Sequence, residues 1–155
     1  MPPKLDVATS ADIDSISETL KPLDTPHYHF SGPDIIEPSI NAKLCWVARK
    51  DGIIQVALVA REVEGGVEIV ALAVKSPFQQ RGIGRQLLLG VESRARDLGF
   101  PKIWCWSLAR YASKDFYLSN GFTEAFLLKS QFYGEDCWFL GKLMTQGSLK
   151  WPALP

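Results

Sequence analysis

The segment from Glu68 to Leu88 limits most strongly what this chain of 155 residues can fold into. Its first part, Glu68–Val74, is almost entirely apolar and partly β-branched, which predicts a buried strand. Pro77 then breaks the pattern, because proline has no backbone N–H to donate to a sheet. Beyond it the apolar residues recur with a helical period, while Glu92 falls off their face. That face consists of Ile83, Leu87, Leu88, Val91, Ala95 and Leu98.

The turn between this strand and this helix, Gln79–Gly84, has the composition of an anion cradle. Gly82 and Gly84 let the backbone approach a ligand, and the first amides of a helix have no partner within it. A Walker loop would need Lys at position 85, and a dinucleotide fingerprint would need Gly or Ala at position 87. Arg85 and Leu87 exclude both. On the turn alone, a connection that binds no ligand is an equally good interpretation.

A second motif follows downstream. Lys102–Leu108 reads as a strand, and the next apolar stretch reads as a short helix that Gly121 ends. The turn has the form Gln-x-x-Gly-x-Gly, and Phe116-Tyr117-x-x-x-Gly121-Phe122 follows it in order. Together they resemble the two hallmarks of the GCN5-related N-acetyltransferase (GNAT) family over residues 68–122. Arg110 and Ser113 depart from the Asn and Ala that are usual in that family.

Patterns along the rest of the chain complete the order β-α-α-β-β-β-α-β-α-β-β. Asp51-Gly52 predicts a tight hairpin, and a helix over residues 34–41 is expected to be interrupted by Pro38. Gly65-Gly66 is expected to turn the chain into the central strand. This order predicts an α/β fold with a mixed sheet. The resemblance implies the GNAT-like fold, in which the fourth and fifth strands splay apart and open a cleft.

Length and composition indicate one domain over residues 1–155, with an irregular tail from about residue 145. Seventeen basic residues balance seventeen acidic ones, so nothing points to nucleic acid. The apolar runs are too short for a membrane span, and the N-terminus has no signal-peptide core. We therefore expect a cytoplasmic protein, as a monomer or homodimer. Cys45, Cys105 and Cys137 form no motif and are expected to be reduced and buried.

The resemblance implies acetyl-CoA as acyl donor and no metal. It assigns the pantetheine arm to the strand edge at Leu72, Ala73 and Val74. The pyrophosphate is assigned to the turn and the start of the helix, which comprise Gln79, Gln80, Arg81, Gly82, Ile83, Gly84 and Arg85. The side chains of Arg81 and Arg85 can equally be solvated arginines that meet no phosphate.

Two side chains are candidates for proton transfer. Tyr117 is the candidate general acid, since a phenol with an ordinary pKa near 10 stays protonated at neutral pH. Its alternative is a core tyrosine that closes the short helix. Glu68 is the candidate general base, because a glutamate that opens this strand has that role in protein-modifying members of the family. Alternatively, Glu68 is structural, or water alone accepts the proton.

The irregular segment between the first two helices is the candidate acceptor wall in the family, and here it contains His27, Tyr28, His29 and Phe30. Two histidines at this spacing make a poor metal pair. The sequence thus predicts an acyl-CoA-dependent N-acyltransferase that moves acetyl to a primary amine in a ternary complex. Balanced charge and many aromatic residues favour a small amine over a protein as acceptor. The alternative is a non-catalytic module that senses coenzyme A.

Overall fold

The computed structural model describes residues 3–76, 79 and 82–144. Its strands are β1 (Lys4–Val7), β2 (Cys45–Lys50), β3 (Ile53–Val63), β4 (Gly66–Val74), β5 (Lys102–Leu108), β6 (Glu124–Phe132) and β7 (Glu135–Leu143). Its α-helices are α1 (Ile13–Leu20), α2 (Pro33–Asn41), α3 (Ile83–Asp97) and α4 (Ser113–Ser119). The predicted order of elements is confirmed. The predicted break at Pro77, the phosphate positions Gln80 and Arg81, and the tail from residue 145 lie outside the described residues.

The strands form one seven-stranded mixed sheet in the order β1-β2-β3-β4-β5-β7-β6. This topology confirms the predicted α/β fold class. The chain divides into two compact units, the first comprising Met1–Arg61 and Ile69–Val91 and the second Glu62–Glu68 and Glu92–Pro155. Strand β4 begins in the second unit and ends in the first. The assignment of the whole chain to one domain stays a prediction.

The core of the first unit lies between its helices and its strands. Ile16 and Leu20 of α1, Ile36 of α2 and Val47 of β2 are fully buried there. The entrance to α1 is held by Asp12, whose carboxylate accepts a hydrogen bond from the Thr9 amide at 2.9 Å. Apolar spacing of three and four residues therefore puts α1 on the core, as its sequence predicts.

Pro38 does not interrupt α2, contrary to the expectation from sequence. The helix runs through it from Pro33 to Asn41. A proline inside a helix removes one hydrogen bond to the carbonyl four residues earlier. That carbonyl belongs to Asp34, an exposed residue in the first turn, where water can satisfy it. The loss is therefore small, and packing of Ile36 against the core outweighs it.

The two predicted hairpin turns on either side of β3 differ in their outcome. Asp51 and Gly52 both have positive φ, 53° and 78°, which confirms a tight turn between β2 and β3. The next turn is made by Glu64 and Gly65, with φ of 51° and 77°. Gly66 is already the first residue of β4, so the expected Gly65-Gly66 turn is shifted by one residue.

The second unit is built on β5, β7 and β6, which pair antiparallel in that order. The helix α3 enters this unit with Glu92, which the sequence placed on a solvated face. Instead Glu92 is 2% exposed, and Lys142 of β7 donates to its Oε1 at 2.8 Å. Leu98, predicted to be on the apolar face, is 42% exposed because the helix has ended at Asp97.

Candidate functional site

The start of α3, in the first unit, is the described part of the predicted anion cradle. Gly82 is exposed, with a φ of +75° that L side chains rarely adopt. Its carbonyl accepts the first intrahelical bond from the Gln86 amide at 3.2 Å. The amides of Ile83, Gly84 and Arg85 precede that bond and have no intrahelical partner. The buried Ile83 side chain anchors the helix start, while Arg85 is exposed.

Gln79 ties this turn to the end of β4. Its side-chain amide donates to the Val74 carbonyl at 3.1 Å, and its backbone amide donates to Ser76 at 3.3 Å. The sequence assigned Gln79 to the phosphate and gave no sign of this contact. Leu72 and Ala73 precede it as half-buried residues. The carbonyl of Val74 therefore has a partner within the protein itself.

Tyr117 lies in the interior of the second unit and is 6% exposed. Its ring is held by Phe116 and Phe122, each with a centroid 5.1 Å away and a T-shaped orientation. The Phe122 amide also donates to the Tyr117 carbonyl at 3.2 Å, past Gly121 with its φ of +89°. The Phe-Tyr-x-x-x-Gly-Phe motif thus closes α4 and packs its own aromatic residues around the tyrosine.

The Tyr117 hydroxyl lies beside the thiol of Cys105 on β5, and the two groups shift each other's pKa. Burial raises the pKa of Tyr117 well above its ordinary value, and Cys105 raises it further. Burial likewise raises the pKa of Cys105 to about 12, although Tyr117 opposes this shift. Sequence reasoning placed Cys105 in the core and missed this contact.

Glu68, the third residue of β4, belongs to the same cluster. It is 6% exposed, and its charge contributes to the raised pKa of Cys105. The two residues predicted for proton transfer, Glu68 and Tyr117, thus both influence the pKa of the same buried thiol. Strand alternation in β5, where Ile103 and Cys105 are buried, is the signal that could have indicated Cys105.

The segment predicted to face an acceptor is an ordered loop of the first unit. The amides of His27 and Tyr28 both donate to the Thr25 hydroxyl, at 3.2 and 3.0 Å. The rings of Tyr28 and Phe30 lie 4.6 Å apart, and Phe30 packs partly against the core. His29 has a side chain that is 74% exposed. These contacts give the predicted acceptor residues a defined backbone.

Asp24 organises that loop and was not singled out from sequence. Its carboxylate accepts bonds from the Ser31 amide at 2.9 Å and the Ser31 hydroxyl at 2.5 Å, and His29 Nδ1 lies 3.8 Å away. Burial alone would raise the pKa of Asp24, but these bonds and His29 lower it below 3.8. Ser17 of α1 holds the loop as well, donating to the Ser31 carbonyl at 2.6 Å.

The two departures from the family pattern have partners in the second unit. The hydroxyls of Ser113 and Ser107 hydrogen-bond with each other and join α4 to β5. Arg110 Nε lies 3.1 Å from Glu135 Oε1, and its guanidinium lies 5.1 Å from the Tyr111 ring centroid. Ser113 therefore links the start of α4 to β5, and Arg110 links the turn before α4 to β7.

Two negative findings hold for the described part of the chain, residues 3–76, 79 and 82–144. No three His, Cys, Asp or Glu side chains converge there as a metal site would require. Every helix in those ranges is too short or too polar to cross a bilayer.

Sequence and structure comparisons relate this chain to known proteins. A sequence model of the acetyltransferase (GNAT) domain matches residues 41–124, just over half of the chain. No curated protein sequence matches significantly.

Solved structures share the fold at low identity. The ribosomal-protein-S18-alanine N-acetyltransferase from Escherichia coli is 18% identical, with a TM-score of 0.78, over 98% of this chain and 99% of that one. Arabidopsis thaliana Naa50, in complex with the bisubstrate analogue CoA-Ac-MVNAL, is 20% identical, with a TM-score of 0.75, over 90% and 97%. The PaiA N-acetyltransferase from Thermoplasma acidophilum, in complex with coenzyme A, is 15% identical, with a TM-score of 0.71, over 92% and 99%.

Proposed function

Since this chain belongs to the GNAT family of acetyltransferases, we propose that it transfers acetyl from acetyl-CoA to a primary amine by direct attack in a ternary complex. The observation that carries this proposal is the start of α3 at Gly82. It puts amides without an intrahelical partner and the positive end of a helix dipole at a glycine that leaves space for a phosphate.

The cofactor contacts follow from that passage. The amides of Ile83, Gly84 and Arg85 bind the pyrophosphate, and Gln80 and Arg81 contribute to it from the turn. The pantetheine arm runs along Leu72, Ala73 and Val74 and pairs its amides with the strand. Gln79 has a supporting part, because its bond to the Val74 carbonyl connects the phosphate turn to the strand end.

The chemistry needs two proton transfers. The amine nitrogen attacks the thioester carbonyl carbon, and the carbon–sulfur bond breaks as the amide forms. Glu68 accepts the proton that leaves the amine, directly or through water, and Tyr117 donates one to the departing thiolate. The position of Tyr117 beside Cys105 supports this role, since the hydroxyl is next to a sulfur in the free protein.

The acceptor is proposed to be a small amine that contacts His27, Tyr28, His29 and Phe30. The support is the ordered loop with two adjacent aromatic rings and an exposed histidine. Two of the similar structures favour a peptide acceptor. One is an N-acetyltransferase for an alanine of a ribosomal protein, and the other holds a bisubstrate analogue that contains a peptide. A peptide amine is therefore the competing acceptor class.

One panel of acceptors tests the proposal. Release of free coenzyme A from acetyl-CoA is followed with small aliphatic and aromatic amines, polyamines and short peptides with free N-termini. We expect turnover with at least one amine and none with the matching alcohol. Binding of acetyl-CoA is measured by calorimetry on the same sample. Turnover on peptides alone would replace the small-amine acceptor, and absence of acetyl-CoA binding would remove the whole proposal.

A second function, a non-catalytic module that binds coenzyme A, is favoured by one observation. The Tyr117 side chain is 6% exposed, and its hydroxyl already has a partner in Cys105. A donor held in this way suits a structural role as well as a catalytic one. Binding of acetyl-CoA by calorimetry with no thiol release from any amine is the result that selects this function.

A further inference from the structure

The second unit contains an open, mostly apolar cavity of about 360 Å³ where β4 and β5 begin. Its walls include Gly66, Trp104, Trp106 and Phe139. A side-chain carbon at position 66 would come within 3.2 Å of the Lys102 carbonyl oxygen, so a glycine there lets the backbone of β5 approach closely. The acetyl-transfer proposal uses Glu68 and the last three residues of β4, none of which lines this cavity. The cavity has no part in that proposal.

Three aromatic rings form a cage on one face of the sheet. Trp104 and Trp106 point to the same face because they are two residues apart on β5, and Phe139 of β7 is the register partner of Trp106. The Trp104 and Phe139 rings are 5.8 Å apart and inclined by 28°. The plane of the Trp106 ring is steeply inclined to both, by 86° to Trp104 and by 68° to Phe139. With 41% of its surface exposed, Trp106 is accessible to a ligand.

One ring of the cage, Phe139, already contacts an ammonium group of the protein itself. Lys102 Nζ lies 5.0 Å from the Phe139 ring centroid and 2.5 Å from Glu124 Oε1. The Lys102–Glu124 ion pair lies over Gly141 of β7. A side chain at position 141 would place its Cβ within 2.7 Å of Glu124 Oε1, so glycine leaves the space that the pair needs. Glu124 thus neutralises Lys102. The carboxylate of Glu64 at the cavity wall then leaves one negative charge in excess.

We propose that this cage binds an organic cation, an alkylated ammonium group of the trimethylammonium type. Indole faces attract such cations through their quadrupoles, and alkyl groups bury apolar surface at the same time. A bare metal ion would instead need several oxygen ligands, which an aromatic wall lacks. A neutral ligand would draw no benefit from the excess charge of Glu64. The cation can be a free small molecule or a trimethylated lysine side chain.

Choline and its neutral isostere 3,3-dimethylbutanol distinguish charge recognition from simple hydrophobic binding. Each is titrated into the full chain, and the indole N–H signals are followed by nuclear magnetic resonance. We expect saturable shifts of Trp104 and Trp106 with choline, none of Trp46 or Trp138, and weaker shifts with the isostere. Equal affinity for the two compounds, or no saturable shift with choline, overturns the proposal. Tighter binding of a trimethyllysine peptide than of choline supports the cage and identifies a lysine side chain as the source.

Matched variants locate the site. Trp106→Leu should weaken choline binding by ~fivefold or more, since it removes the most accessible indole face. Phe126→Leu is the control. Phe126 of β6 is an exposed aromatic residue on the same face of the sheet as its register partner Phe139, but it does not line the cavity. Glu64→Gln should weaken choline binding at low salt, and high salt should abolish that difference. Equal losses in Trp106→Leu and Phe126→Leu would contradict a defined cage.

Acetyl-CoA binding by calorimetry is measured on the same three variants and should be unchanged. Because the readout of the cage is choline binding, failure of the acetyl-transfer proposal leaves this result intact. If Trp106→Leu does not fold, Glu64→Gln with the choline and isostere pair still decides the matter.

Discussion

The Tyr117 hydroxyl lies beside the Cys105 thiol in the interior of the second unit, where the two residues are 6% and 2% exposed. Burial raises the pKa of both groups, to about 12 for Cys105. Both therefore remain protonated at every physiological pH. A phenol in this state can give a proton to a thiolate, and its ring is fixed by two aromatic neighbours.

Tyr117→Phe should lower turnover about a hundredfold to ten-thousandfold and leave acetyl-CoA affinity almost unchanged. The variant removes only the hydroxyl, which is needed mainly while the thiolate departs. Steady-state kinetics and calorimetry on the same preparation measure the two quantities. The mutation should slow thioesters of more acidic thiols less, because their departing thiolate needs less protonation. If good and poor leaving groups slow equally, Tyr117 is a cofactor contact and not the acid.

Glu68→Gln should lower the rate on the acidic limb of the pH profile, with partial recovery at high pH. A base is dispensable once the amine has lost its proton to solvent. The profile of kcat/KM against pH measures this, and Glu62→Gln serves as the control because that residue is exposed. A profile with the shape of the original would leave Glu68 with an electrostatic or structural role.

Gly82→Val should abolish measurable acetyl-CoA binding while the protein still folds. Nothing lies within 4 Å of a side-chain carbon at this position, so the strain comes from the φ of +75° alone. That strain costs about 1–3 kcal/mol in a folded protein. Calorimetry measures binding, and urea unfolding measures stability. Gly82→Asn separates the causes: asparagine tolerates positive φ, so it should recover stability and still impair binding. Normal affinity in Gly82→Val would mean that the phosphate turn is elsewhere.

Lys142→Met should destabilise the protein by about 3–5 kcal/mol, because it leaves the Glu92 carboxylate buried without its partner. Glu92 also lies 3.9 Å from Arg96, too far to replace the 2.8 Å bond from Lys142. The double variant Glu92→Leu/Lys142→Met should recover most of the loss. Urea denaturation of the three variants measures the coupling. A single variant as stable as the unaltered protein would show that water reaches Glu92.

The ion pair of Asp12 and Arg49 should make the first unit less stable in acid. Arg49 Nη2 lies 2.7 Å from Asp12 Oδ2, and this bond lowers the pKa of Asp12 below 3.8. A carboxyl with a lowered folded pKa stabilises the protein above 3.8, and that contribution disappears as pH falls through the folded value. Arg49→Met should therefore cost about 1–3 kcal/mol at neutral pH and almost nothing well below 3.8. Urea unfolding of the two proteins at a series of pH values measures this difference. A difference in unfolding free energy that stays constant into acid would contradict this linkage.

Local patterns determined the order of elements in this protein. A helical period puts Ile83, Leu87 and Leu88 on one face whatever the partner is, and an Asp-Gly pair favours positive φ by itself. The Gln-x-x-Gly-x-Gly turn and the Phe-Tyr-x-x-x-Gly-Phe helix end are likewise short motifs. For that reason the fold class and the family could be predicted from the sequence.

Contacts between distant residues were decided only by the tertiary structure. Glu92 has the spacing of a solvated residue, but Lys142, fifty positions later, takes it into the interior. Cys105 is a small core residue in its own strand, and only the return of the chain through α4 puts Tyr117 against it. Trp104, Trp106 and Phe139 become a cage only when β7 pairs with β5. The role of a charged or aromatic side chain depends on the residues that pack against it. Those residues are distant in the sequence, so no local pattern identifies them.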